Sequence, residues 1–395
     1  MQIHTKEIIK NFYLLRIDDN ETRYFEALWN IPEGITYNSY LLVTDEGAIL
    51  FDTWKKNYSK FFIETLRKII DLTDIKYLVI HHMEPDHSGS INTLLEQKND
   101  LTIIGHPLTK SMLEAFYNIS PNFKPINDEE KLKIGNESIK FIHTPWLHWP
   151  ETIMSFLEKE KILISCDAFG GFSIPNSIYD DEADLTSYMK FVRKYFTTII
   201  GHYTSFVIKN IEKIKKLGFK IKIIAPSHGL IFRSHPDTIV NYYYSLASGL
   251  EKDKIVIIYD SMYGFIEKAI ANIIDIVESR GIPFSVHKFT DTIQSDLGEI
   301  LSDIMDSKII ILGVSTYEND LFPIMKYLLN LMVEKISFRK KILIISSYGW
   351  GKIISKRIPE IFQKKYDIVK VLEFKGVPKE KDFMELKKVL SEMLV

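Results

Sequence analysis

Apolar residues are patterned in two ways along this chain, and the pattern changes near residue 252. Before that point the apolar runs are short. Tyr37 to Val43 and Ala48 to Phe51 flank the polar turn Asp45-Glu46-Gly47 and predict paired strands. Phe61 to Leu72 repeats its apolar residues at helical spacing. Tyr77 to Ile80, Leu101 to Gly105 and Ile139 to His143 predict further short strands. Strands interleaved with helices over residues 1–252 predict an αββα sandwich, in which helices cover the outer faces of two packed sheets.

The second pattern begins after the polar stretch Glu251-Lys252-Asp253-Lys254. Ile255 to Tyr259, Ile309 to Leu312 and Ile342 to Ile345 are continuous apolar runs with helical segments between them. Such runs suit a parallel sheet buried on both faces. The expectation for the whole chain is a mixed α/β protein of two domains, 1–252 and 253–395.

Composition narrows the function classes. Of 395 residues, 46% are hydrophobic and 26% charged, as in a globular protein. A net charge of −2 gives no basic footprint for nucleic acid. No apolar run approaches the roughly 18–20 residues that span a membrane. Met1 to Lys6 lacks the apolar core of a signal peptide. The single cysteine excludes an internal disulfide framework and any CxxC iron or zinc site within the chain. A reducing cytoplasm is the expected location.

The densest chemistry lies in His82-Met83-Glu84-Pro85-Asp86-His87, where four potential metal ligands fall within six residues just past a predicted strand. A His-rich set with one Asp suits zinc, whereas adding Glu makes a harder site that suits iron or manganese. His148, Asp167 and His228 each lie at or just past the end of a later apolar run. A lone His at a strand end is more often a hydrogen-bonding residue than a ligand. Four potential ligands within six residues are much harder to dismiss and point to a metal site. His81 adjoins His82 and in extended chain points the opposite way. His143 reads as structural or supporting, and Cys166 as facing a core. Tyr195 and His202 lie between two of the ligand motifs.

The spacing resembles that of the metallo-β-lactamase fold, whose hydrolases carry His-x-His-x-Asp-His. Here Glu84 replaces the second His, and in this the chain resembles the flavodiiron proteins. The resemblance implies that His82, Glu84 and His148 hold one iron, that Asp86, His87 and His228 hold the other, and that Asp167 bridges them. It also makes Tyr195 a candidate proton donor, with a packed aromatic as the alternative. Asp52, after Leu50-Phe51, resembles the strand-end Asp that supports metal ligands in this fold; a turn residue is the competing reading.

Three loops of the second domain carry a further resemblance, to the FMN site of flavodoxins. Ser261-Met262-Tyr263-Gly264 follows the first apolar strand and precedes a helix, where free backbone N–H groups suit a phosphate. Phe265 and Ile266 stand where flavodoxins usually offer hydroxyls. Ser315, Thr316, Tyr317 and Asn319 follow the next strand, and Ser347, Tyr348, Gly349 and Trp350 the one after. Tyr317, Tyr348 or Trp350 would flank the isoalloxazine.

The resemblance therefore implies a metallo-β-lactamase-like diiron domain followed by a flavodoxin-like, doubly wound FMN domain. It implies reduction of O2 to water, NO to N2O, or both. Electrons would come from an external donor: a rubredoxin, a reductase or a reduced deazaflavin coenzyme. The family also implies a head-to-tail homodimer. Two other functions compete: a zinc hydrolase with an accessory domain, and a flavin electron carrier or redox sensor with a vestigial metal site.

Overall fold

The structure, a computed structural model, describes residues 1–394. It divides into two compact units between Ala247 and Ser248.

The first unit packs a seven-stranded sheet against a five-stranded one. In the larger sheet Gln2–Ile9, Phe12–Asp19, Ile35–Thr44 and Gly47–Phe51 run antiparallel. Ile75–Ile80, Thr102–Gly105 and Phe123–Pro125 then continue it in parallel. The smaller sheet runs antiparallel through Lys131–Ile134, Glu137–His143, Ile153–Leu157 and Ile162–Cys166. It ends on the parallel strand Ile223–Pro226. Alternate residues face the space between the sheets, as the strand period of two requires. Phe12, Leu14, Ile49 and Phe51 on one side meet Ile139, Phe141, Ile162 and Ile164 on the other. The strands ending at Ile80, His143, Cys166 and Pro226 therefore leave their ligand-bearing loops at one edge of the sandwich.

The predicted helix over Phe61 to Leu72 is shorter than its periodicity suggests. It spans Ser59–Leu66, and a separate short turn follows at Leu72–Asp74. Asp71 accounts for the break. Its carboxylate accepts from the Thr73 N–H and hydroxyl, a local arrangement that competes with the helical ladder.

In the second unit the strands Phe284–Phe289, Lys252–Asp260, Ser307–Tyr317, Lys341–Tyr348 and Asp367–Lys375 lie in that spatial order, all parallel. Ile255, Ile257, Ile309 and Ile311 pack under the helices Phe265–Ser279 and Glu380–Met393. Val256, Ile258, Ile310 and Leu312 are equally buried on the opposite face. Burial on both faces explains the continuous apolar runs. The strand order reverses beside Lys252–Asp260, and ligands bind sheets of this kind at such a switch point.

Candidate metal centre and flavin cleft

The seven predicted ligands converge. Pro85 opens a short helix, Pro85–Ser88, that carries Asp86 and His87 just behind Glu84. His148 follows the strand Glu137–His143, Asp167 follows Cys166, and His228 precedes Gly229. Gly229 has φ +79°, and a Cβ there would run into the Tyr188 hydroxyl, so this turn requires glycine.

The side chains form two sets. His82 Nε2 lies 3.3 Å from Glu84 Oε2 and 3.5 Å from Asp167 Oδ2. His148 Nε2 lies 3.0 Å from the same Glu84 oxygen and 3.5 Å from the same Asp167 oxygen. In the second set, His87 Nε2 and His228 Nε2 lie 2.9 and 3.1 Å from Asp167 Oδ1. Each is also 3.4 Å from an oxygen of Asp86. Ligands about 2.1 Å from a shared ion sit roughly 3.0–3.4 Å from one another. These separations match that spacing, and Asp167 offers one oxygen to each set.

The donors are buried and underused. Both oxygens of Asp86, both of Asp167, His87 Nε2 and His228 Nε2 have no well-directed hydrogen-bond partner among the described residues. Leaving each such atom unpaired costs about 1–3 kcal/mol. A cation in each set would satisfy all of them. Burial pushes the His87 imidazole down, but the carboxylates of Asp167 and Asp86 outweigh it and hold it up at about 10. Burial pushes Asp167 up, yet His87, His228 and His82 hold it well below the usual carboxylate range. This donor set of imidazoles and carboxylates suits iron.

The predicted flavin loops also meet. They line a cleft of about 330 Å³ through Ser261, Met262, Tyr263, Ser315, Thr316, Tyr317, Ser347, Tyr348, Gly349 and Trp350. That volume lies within the usual range for a cofactor site. Tyr263 and Trp350 are 76% and 85% exposed, which is unusual for such large rings and leaves them free to cover a flat ligand. Gly264 and Asn319 do not line the cleft. Gly264 caps the helix Phe265–Ser279 at φ +77°, and its N–H donates to Ser261 Oγ at 3.0 Å. Asn319 sits at φ +63° in the turn that leads to Asp320. Phe265, Ile266, Glu318 and Gly376 complete the lining.

Comparison with known proteins gives the family. Residues 35–229 match the family model of the ODP family beta lactamases. A nitric oxide reductase of Moorella thermoacetica is 30% identical over 357 residues, covering 89% of this chain and 88% of the relative. A point mutant of a flavo di-iron protein from Thermotoga maritima superposes with a TM-score of 0.94 at 38% identity, over 100% of this chain and 99% of that one. The chain belongs to the flavodiiron protein family. The rubredoxin oxygen:oxidoreductase of Desulfovibrio gigas shares the architecture at a TM-score of 0.92 and 27% identity, over 99% and 98% of the two chains.

This flavodiiron protein also carries supporting residues that sequence reading missed or misplaced. Glu151 is fully buried; its Oε1 lies 2.8 Å from His82 Nδ1 and accepts from the Met83 N–H at 3.0 Å. The Thr36 carbonyl holds His228 Nδ1 at 2.7 Å. Each contact turns an Nε2 toward the ligand cluster. Asp52 does orient an imidazole, but that of His81, at 2.7 Å, rather than a ligand ring. His81 in turn reaches Ser155 Oγ at 2.8 Å and so ties the two sheets together beside the loop. His143 bonds the Ile126 carbonyl and His202 packs on Tyr203, both outside the cluster. Tyr195 is buried in the last turn of its helix, with its ring 5.6 Å from that of His228. Burial and the nearby Asp167 carboxylate push its phenol well above the ordinary value, so it keeps its proton.

Glu151→Gln keeps the shape and removes the charge that steadies His82. It is expected to weaken iron or Co2+ binding by about 10–100-fold. Anaerobic metal titration followed by absorbance checks this, with unchanged affinity as the contrary result.

Proposed function

We propose that this protein is an oxidoreductase that reduces O2 to water, NO to N2O, or both, at two irons, with electrons passed through FMN from an external donor. The observation that carries the reading is Asp167, whose two oxygens face two separate ligand sets 2.9–3.5 Å away. The names of the relatives support the reaction class: one is a nitric oxide reductase and another a rubredoxin oxygen:oxidoreductase.

His82, Glu84 and His148 would hold one iron, Asp86, His87 and His228 the other, and Asp167 would offer an oxygen to each. Bound iron supplies the redox chemistry and bound FMN the electron relay. Glu151 and the Thr36 carbonyl fix the His82 and His228 rings. Tyr195, with its ring 5.6 Å from that of His228, is the candidate proton donor beside the second set. In the cleft Tyr317, Tyr348 or Trp350 would flank the isoalloxazine, and the loop Ser261 to Gly264 at the start of the helix Phe265–Ser279 would lie nearest the phosphate.

The external donor is a rubredoxin, a reductase or a reduced deazaflavin coenzyme, because the chain has no cysteine set for a rubredoxin centre of its own. A head-to-tail homodimer would bring the flavin of one chain to the irons of its partner. Among the described residues no helix is long and apolar enough to cross a membrane. The cytoplasm is the proposed location.

Metal analysis separates this reading from a zinc hydrolase and from a plain flavin carrier. About two irons and one flavin per chain are expected, as the two ligand sets and one cleft require. Stoichiometric zinc would support hydrolysis, and flavin without metal would support the carrier.

A further inference from the structure

The charges around the flavin cleft are unusual for a site that takes a phosphate ester. No lysine or arginine lines it; among the described residues its one charged lining residue is Glu318. Glu267 stands in the first turn of the helix whose N-terminus faces the phosphate position. Asp260, fully buried at the end of the preceding strand, accepts from the Ser315 N–H at 3.0 Å. Asp260 and Glu267 thus flank the loop at this end of the cleft, and Glu318 lies on the neighbouring loop. Lys352, with its ammonium 5.7 Å from the Tyr348 ring, does not line it.

Hydroxyl donors are equally scarce there. Between Asp260 and Glu267, besides the largely exposed Tyr263 phenol, the one hydroxyl is that of Ser261. Its oxygen already accepts from the Gly264 N–H, which leaves a single O–H to give. Phe265, at the first helical position, places its ring 6.2 Å from that of Tyr263. Ile266 turns into the core, where a Cβ on Gly313 would come within 2.7 Å of its Cγ2. A phosphate there would have backbone N–H groups, a helix dipole and at most the Ser261 and Tyr263 hydroxyls, with Glu267 in the first helical turn. The ring end differs: Tyr317, Tyr348 and Trp350 offer a broad aromatic surface.

We propose that the cleft recognises its flavin through the ring and ribityl chain and is nearly indifferent to the 5′-phosphate, so that riboflavin is a ligand close to FMN in affinity. The inference rests on the flavin reading above and deepens it. Burial raises the Asp260 carboxyl to about 7. Near neutrality it therefore carries part of a negative charge, which adds no attraction for a phosphate.

The test uses the full-length protein freed of flavin and titrated with FMN and with riboflavin, read by quenching of flavin fluorescence. Riboflavin is expected to bind within about tenfold of FMN. A larger preference for FMN would overturn the inference and leave the flavin reading standing. Binding of neither would overturn both. Phe265→Ser adds a hydroxyl at a partly exposed position that the fold tolerates. It is expected to tighten FMN by about tenfold through a charge-assisted hydrogen bond, with riboflavin unchanged. An equal effect on the two flavins, or none, would overturn the assignment of the missing contact to residue 265.

Discussion

Asp167→Ala is expected to abolish reduction of O2 and NO and to empty both metal positions, with flavin content left near one per chain. Asp167 lies 2.9–3.5 Å from a nitrogen of His82, His87, His148 and His228, so its removal takes one donor from each set. Supporting contacts alone are worth about 10–100-fold in metal affinity, and a shared ligand is worth more. The change also leaves the surrounding imidazoles without their main buried counter-charge, which costs roughly 3–5 kcal/mol where a buried pair is broken. Circular dichroism must therefore confirm folding before the result is read. Metal analysis and amperometric gas consumption are the measurements. Retained iron with full activity would remove Asp167 from the centre. His148→Ala should give the same loss of activity, with the set around Asp86 less affected.

Two inactive variants are expected to rescue each other when mixed. The ligand cluster and the cleft belong to separate compact units, and electron transfer slows steeply with distance. A twofold pairing of chains, the commonest closed symmetry of homo-oligomers, would set each flavin beside the partner's irons. One variant lacks the metal centre through His87→Ala and Asp167→Ala. The other lacks the flavin through large side chains placed at Ser261 and Gly349, both of which line the cleft. A heterodimer then keeps one interface with a working flavin opposite a working iron pair. Activity near half of wild type per heterodimer is expected, since about one of two interfaces survives. No recovery in verified heterodimers would place the relay within one chain.

How legible each feature was depends on how local its signal is. His82 to His87 could be read because the donors are adjacent, and His148, Asp167 and His228 because the resemblance to the flavodiiron proteins called for three ligands downstream and each of these lies at or just past an apolar run. The parallel sheet could be read because burial on both faces forces unbroken apolar strands. Glu151 escaped because its partner, His82, lies 69 residues away and nothing marks it apart from a surface acid. The Thr36 carbonyl escaped because a backbone atom leaves no trace in residue type. Gly376 joins the cleft for the same reason, since it contributes only main chain from the end of the fifth strand. The strand-end reading of Asp52 found the right kind of contact and the wrong histidine, because the choice between His81 and His82 is made by which face of the strand meets Asp52. The helix at Phe61 overran because its apolar spacing continues past Leu66, while Asp71 captures the local donors.

The central claim is that irons and flavin act as one electron store for gas reduction. Single-turnover consumption of O2 tests it most directly. Iron- and FMN-loaded protein is reduced fully under anaerobic conditions, separated from reductant and mixed with excess O2. Two ferrous ions and one reduced flavin hold about four electrons, the number that takes O2 to two waters. The account predicts close to one O2 consumed per chain, with no hydrogen peroxide released. Peroxide in step with flavin oxidation, while the irons stay ferrous, would contradict it.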